Sequence, residues 1–184
     1  MNDALIRYYR AMARNNAWSN YRLLNACAAL TQAELDAPRV SFFPSLALTL
    51  NHILAVDEFY VDALQGQPRA FTEDVPRTTV DSLRADQSAV DRRLIAFCDR
   101  LDAAQLASPV QLVRDTGMLE DATDRVLAHL FLHQIHHRGQ AHAMLAGTSV
   151  EPPQLDEFLL ATDAPLRCAD LDSLGFTEEE IWGA

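Results

Sequence analysis

Five of the chain's six histidines lie in one short run, "AHLFLHQIHHRGQAH", at positions 129, 133, 136, 137 and 142. The sixth, His52, stands alone in "LTLNHILAVDEFY". Neutral imidazole is the commonest metal ligand among side chains, so the clustering first suggests metal binding. On a helix turning about 100° per residue, His129, His133 and His137 share a stripe with Val126, Leu130, Gln140 and Met144. Its apolar members point that stripe inward. His136 lies at the margin and His142 on the far side, and both read as edge or surface residues. Residues four apart carry Cβ atoms about 6 Å apart, close enough for two imidazoles to share one divalent ion. His129 and His137 are two turns apart and cannot both join His133, so this helix supplies two ligands. His52 is the histidine left to supply a third. It shares a face with Leu48, Val56, Phe59 and Ala63, an apolar setting in which a neutral imidazole needs a hydrogen-bond partner or a metal. The expected ligands are therefore His52, His133 and His137, with His129 packing beside them or donating a hydrogen bond to one of them.

Three neutral imidazoles leave a divalent ion its full charge and an open position for water or an anionic ligand. Zinc or nickel suits such a donor set best, with iron or manganese also compatible. A zincin-type hydrolase needs glutamate after its first histidine, but Gln134 follows His133 and cannot take a proton. A ferritin-like di-iron site needs Glu-x-x-His on two helices, and the chain has none.

These side chains need elements to position them. Residues 3–30 read as one long helix without Pro or Gly. Thr31 and Glu34 have capping-box spacing for a short turn before Pro38. "RVSFFPS" breaks the pattern. Residues 45–64 form a second long helix, ended by Gly66 and Pro68, and Thr78 or Thr79 caps a third that runs to about Ala104. "SPVQLVRDTGML" reads as a small hairpin around Asp-Thr-Gly. Residues 121–146 make the fourth long helix, stopped at Gly147. A short helix is expected near Gln154–Thr162. The tail carries Leu166, Leu171, Leu174, Phe176, Ile181 and Trp182 at intervals that suit docking onto the body, with Trp182 as anchor.

Four long amphipathic helices and almost no strand predict an all-α four-helix bundle with a short C-terminal helical extension. One domain spans residues 1–184, with a core of about 1–147 and the extension beyond it. The linker from Gln65 to Arg77 can stretch roughly 40 Å, against about 30 Å for a 20-residue helix. It can therefore cross the bundle and leave the second and third long helices parallel.

Fifteen basic and 26 acidic residues give a formal charge of −11 and a sequence pI near 4.8. So acidic a chain, with no basic stripe, repels phosphate backbones, and no nucleic-acid partner is expected. Cys27, Cys98 and Cys168 are odd in number and far apart, which predicts buried free thiols in a reducing compartment. With neither a signal-peptide pattern nor a membrane-length apolar run, a cytoplasmic protein without a membrane partner is expected.

"HLFLHQIHHRGQ" closely resembles the fourth-helix signature of the DinB/YfiT-like family of bacterial metal-binding four-helix proteins. "NNAWSNYRLL", with Asn16, Trp18 and Asn20, resembles the family's first-helix pattern. "LTLNHILAVDEFYVDALQG" is similar to its second-helix segment, and "QLDEFLLATDAPLR" to the C-terminal extension of one branch. The resemblance covers nearly the whole chain. It implies an up-down-down-up bundle, a divalent ion on His52, His133 and His137, and a homodimer. Phe131 and Ile135, on the side of the fourth helix away from the histidine stripe, suit either a subunit interface or a neighbouring helix. Asp57 belongs to the pattern but lies about 140° around the helix from His52, which makes it a structural salt bridge or cap, not a ligand. Asn16, Trp18 and Asn20 either line a pocket mouth or pack between helices, and Tyr60 and Gln140 are candidates for substrate contact.

Some relatives are thiol transferases, so the resemblance implies an enzyme in which the open metal position activates a small thiol, or water. The alternative is a non-catalytic, metal-stabilised dimeric module for binding or stress response. The enzyme reading needs an accessible ion in a cleft; the module reading needs a closed site with a fourth protein ligand. No general base stands out in the sequence, and catalytic residues stay unassigned.

Overall fold

The computed structural model describes residues 2–72 and 76–182. Part of the Gln65–Arg77 linker, residues 73–75, therefore lies outside the described residues. The protein is mostly helical, with eight α-helices and one two-stranded sheet among the described residues. Four long helices dominate: α1 (Asn2–Cys27), α3 (Leu46–Leu64), α4 (Val80–Asp99) and α6 (Thr123–Leu145). Short helices α2 (Gln32–Asp36) and α5 (Ala103–Leu106) connect them, and α7 (Ala164–Leu174) and α8 (Glu178–Trp182) form the tail. Strands β1 (Pro109–Arg114) and β2 (Gly117–Ala122) pair antiparallel, Arg114 opposite Gly117, around the expected turn.

Local chemistry sets the boundaries. Ser45 and Thr79 cap α3 and α4 by accepting the backbone N–H groups of Leu48 and Ser82. Thr31 and Glu34 form the expected capping box of α2. Gly66, at φ +75°, ends α3 in the left-handed region that glycine enters without steric penalty. α4 stops at Asp99, short of the expected Ala104, because Asp102 caps a separate turn there, accepting from the N–H groups of Ala104 and Gln105. The hairpin runs straight into α6. Ser108 accepts from both the N–H and the hydroxyl of Thr123, tying the hairpin's base to the helix start.

Side-chain pairs give the helix directions. Asp57 and Asp62 of α3 meet Gln87 and Arg93 of α4 in the same order, so those helices run parallel. Arg14 and Asn20 of α1 meet Asp99 and Asp91 of α4 in reverse order. Tyr9 and Asn20 of α1 meet Asp124 and Arg138 of α6 in the same order. The core between these helices is apolar, with Leu54, Leu94, Leu127, Leu130 and Leu145 almost fully buried.

Three expectations need correction. No helix forms across residues 154–160; the tail helix lies later, preceded by a single 3-10 turn at Ala161–Asp163. The carbonyls such a helix would use are taken elsewhere: Gln154 accepts from Arg22, Leu159 from the Trp182 indole and Leu160 from Arg167. Pro165 then sits in the first turn of α7, where a missing N–H costs nothing. Cys27 and Cys98 are buried, and burial pushes both thiols up to about 12, but Cys168 is exposed on the tail. Leu48 is half exposed, so the apolar face around His52 opens to solvent at its N-terminal end.

Candidate metal centre

His52 near the start of α3 faces His133 at the middle of α6 and His137 in its second half. Tyr60 near the end of α3 faces His129 in the first half of α6, with ring centroids 5.3 Å apart. The two helices are thus antiparallel, and one pair of turns brings three imidazoles together. Ring centroids lie 5.0 Å apart for His52 and His133, 4.6 Å for His52 and His137, and 4.3 Å for His133 and His137. One nitrogen from each ring lies within 4.8 Å of the other two, and the Nε2 atoms of His52 and His133 are 3.1 Å apart. Nitrogens bound to one ion at 2.0–2.1 Å and at angles of 90–110° are about 2.9–3.4 Å apart. The donor set fits a borderline metal ion. No carboxylate or cysteine joins the cluster among the described residues.

The rings of His133 and His137 are held in their ligating form. Burial, reinforced by the neighbouring His137 and His52, pushes the His133 imidazole down to about 3, so it is neutral at pH 7. Burial lowers His137 as well, partly opposed by a hydrogen bond between its Nδ1 and Gln140 Oε1 at 2.8 Å. That bond puts the proton on Nδ1 and leaves Nε2 for a ligand role. Gln140, a candidate for substrate contact, orients His137. His133 Nδ1 is buried without a hydrogen-bond partner among the described residues. His129 does not supply that bond: it is exposed, its ring 6.4 Å from His133 and packed beside Tyr60. His136 contacts His137 at the rim with its Nε2 near Gln140, and His142 reaches the Pro153 carbonyl, so both are edge residues as expected.

Asp57 departs from its expected role. It neither caps a helix nor sits at the surface but is fully buried, accepting from Gln134 at 2.8 Å and Gln87 at 2.7 Å. Gln87 continues to Asp91, which accepts from Asn16 and Asn20; Arg138 donates to both asparagines. Seven polar side chains thereby join all four long helices through the core. Burial, with Asp91 nearby, pushes Asp57 up to about 7, and burial pushes Asp91 up to about 6. Asn16 and Asn20 are packing residues in this network, and Trp18 packs under the tail, its indole donating to Asp170. None of the three lines the triad.

The rim is aromatic. Phe43 lies 4.3 Å from the His52 ring and 5.7 Å from His137, Phe42 is 6.3 Å from His137, and Phe71 is 6.3 Å from His52. The loop carrying the first two is folded back by Arg39, whose N–H donates to Pro44 and whose guanidinium donates to Ala37 and Glu34. The sequence signal was present as "SFFPS", two adjacent aromatics before a proline, but nothing local said which helix they would cover. Arg114, also missed, donates to the Tyr60 hydroxyl at 2.6 Å from the tip of β1.

A family model described as DinB family matches residues 1–167. The chain is 24% identical over 158 residues to "Protein DinB" of Bacillus subtilis (strain 168), covering 80% of this chain and 91% of that one. "Uncharacterized protein YizA" of the same organism is 25% identical over 114 residues, covering 62% of this chain and 71% of that protein. A crystal structure of a DinB-like protein from Bacillus cereus ATCC 10987 superposes with a TM-score of 0.58 at 14% identity, over 74% of this chain and 90% of that one.

Proposed function

The chain belongs to the DinB family, and we propose that it binds one divalent ion through His52, His133 and His137 and uses the remaining coordination position to activate a small thiol or water. The convergence of three imidazoles with no fourth protein ligand in the cluster among the described residues carries this reading. It favours the open, reactive site over a closed structural one, in which a fourth ligand would complete the shell. An ion held there would supply Lewis acidity, lowering the pKa of a bound thiol or water so that the anion forms near neutral pH. The chain's own part is positional. Gln140 turns His137, the apolar ring of Phe42, Phe43 and Phe71 narrows the approach, and His52, only half buried, leaves that approach open. Asp57 does not serve the triad as a base: it is turned into the core on Gln134 and Gln87.

The up-down-down-up arrangement is part of the same proposal, supported by the parallel α3–α4 and α1–α6 pairings and the antiparallel α1–α4 and α3–α6 ones. So is a homodimer, though not through Phe131, which is buried against Tyr9 within its own chain. Its support is the exposed apolar strip of Leu132 and Ile135 on α6, 67% and 51% accessible, beside Tyr8 of α1.

Protein purified without an affinity tag and analysed for elements should contain about one equivalent of zinc or nickel per chain. His133→Ala should lose it, since removing one of three ligands leaves too few for tight binding. Full retention by His133→Ala would overturn the assignment.

A further inference from the structure

Resting on the metal reading above, we propose that Arg114 recognises a carboxylate at the far end of the metal-bound ligand, which makes it a specificity-determining residue. His52, Val56 and Tyr60 follow at four-residue intervals on α3, so Tyr60 lies two turns, about 12 Å, beyond His52. Two rows of side chains run along this interval. On one side His52 meets Phe71 at 6.3 Å, and Phe71 meets Phe59 at 5.9 Å. On the other His133 meets His129 at 6.4 Å, and His129 meets Tyr60 at 5.3 Å. Both rows end at Arg114, whose guanidinium lies 4.8 Å from the Phe59 ring and 5.5 Å from the Tyr60 ring. Phe71 and His129, one in each row, are both exposed.

The charge pattern singles Arg114 out. The neighbouring arginines along α3 are neutralised: Arg69 and Arg77 by Glu58, and Arg93 by Asp62. Arg114 makes no ion pair with a carboxylate among the described residues, in a chain whose formal charge is −11. It is held in place by a phenol and two ring faces, which leaves further N–H groups in its fork for a planar, bidentate partner. A ligand with a thiolate at the triad and a carboxylate two helical turns away satisfies both ends.

The test uses the full chain loaded with Co2+, reading thiolate binding from the ligand-to-metal absorption. The probes are ω-mercaptoalkanoates, from 3-mercaptopropionate to 11-mercaptoundecanoate, each compared with the ω-mercaptoalkanol of equal length. Wild type should prefer the carboxylate about tenfold or more, as a charge-assisted hydrogen-bond pair would give. The preference should appear only once the chain spans that interval, around 6-mercaptohexanoate to 8-mercaptooctanoate. Arg114→Gln should bring the ratio to about one with alcohol affinity unchanged, and Arg114→Lys should keep part of it. A length-independent ratio near one in wild type, or an unchanged ratio in Arg114→Gln, overturns the role of Arg114 and leaves the metal site standing. Failure to take up cobalt, or to bind any of the thiols, overturns this inference together with the reading it rests on.

Discussion

His133 illustrates how much one residue's chemistry depends on its neighbour in the chain. Its ring is pushed towards the neutral form by burial, while the next residue, Gln134, is locked to Asp57 across the helix interface. Asp57 therefore reports on the same contact between α3 and α6 that brings the three imidazoles together. Its carboxyl, pushed up to about 7, holds a proton more tightly folded than unfolded. The linked stability is fully present near pH 4 and is lost as pH rises through about 7. His133 acts in the opposite sense below pH 6.5, so the test is a difference between proteins. In chelator, denaturation of wild type and Asp57→Asn should show the variant gaining on wild type by at least about 1 kcal/mol between pH 5.5 and 8. Gln134 can turn its unpaired Oε1 to meet the new amide. A pH-independent difference would mean that Asp57 is ionised throughout. For Gln140→Ala, loss of the bond that orients His137 should weaken metal affinity roughly 10- to 100-fold in a competitive chelator titration, with the fold unchanged.

At the scale of elements, the four long helices, the α2 capping box, the hairpin and the meeting of His52, His133 and His137 were all legible because each rests on local periodicity or spacing. His-x3-His on an inward stripe left few places for a third ligand, and His52 lay on the matching face. What the sequence hid was long-range. Asp57 read as a salt bridge or cap because the Gln87 and Gln134 that satisfy it come from two other helices. The tail hid its helix start for the same reason, its carbonyls being claimed by Arg22, Arg167 and Trp182. Arg22 is the principal tie, donating to Asp170, Glu157 and the carbonyls of Gln154 and Leu166. Arg22→Ala should cost roughly 2 kcal/mol, by analogy with other charged hydrogen bonds. It should also raise hydrogen exchange in α7 without changing exchange in α3 or α6. Equal acceleration across the whole chain would show that the tail is part of one cooperative unit.

For the whole molecule, the polar network and the apolar core hold four helices in one register, and the triad lies where α3 and α6 meet under an aromatic rim. No helix among the described residues is long and apolar enough to cross a membrane. The exposed strip of Leu132 and Ile135 should bury against a second copy: sedimentation should give a dimer for wild type and a monomer for Ile135→Glu, whereas a monomeric wild type would remove the strip's proposed role. The central claim is the shared ion, and X-ray absorption at the metal edge of the loaded protein tests it most directly. The account predicts a first shell of three imidazole nitrogens at about 2.0–2.1 Å plus light solvent ligands, reduced by one imidazole in His52→Ala. A shell containing sulfur or protein carboxylate, or one unaltered in His52→Ala, would contradict it.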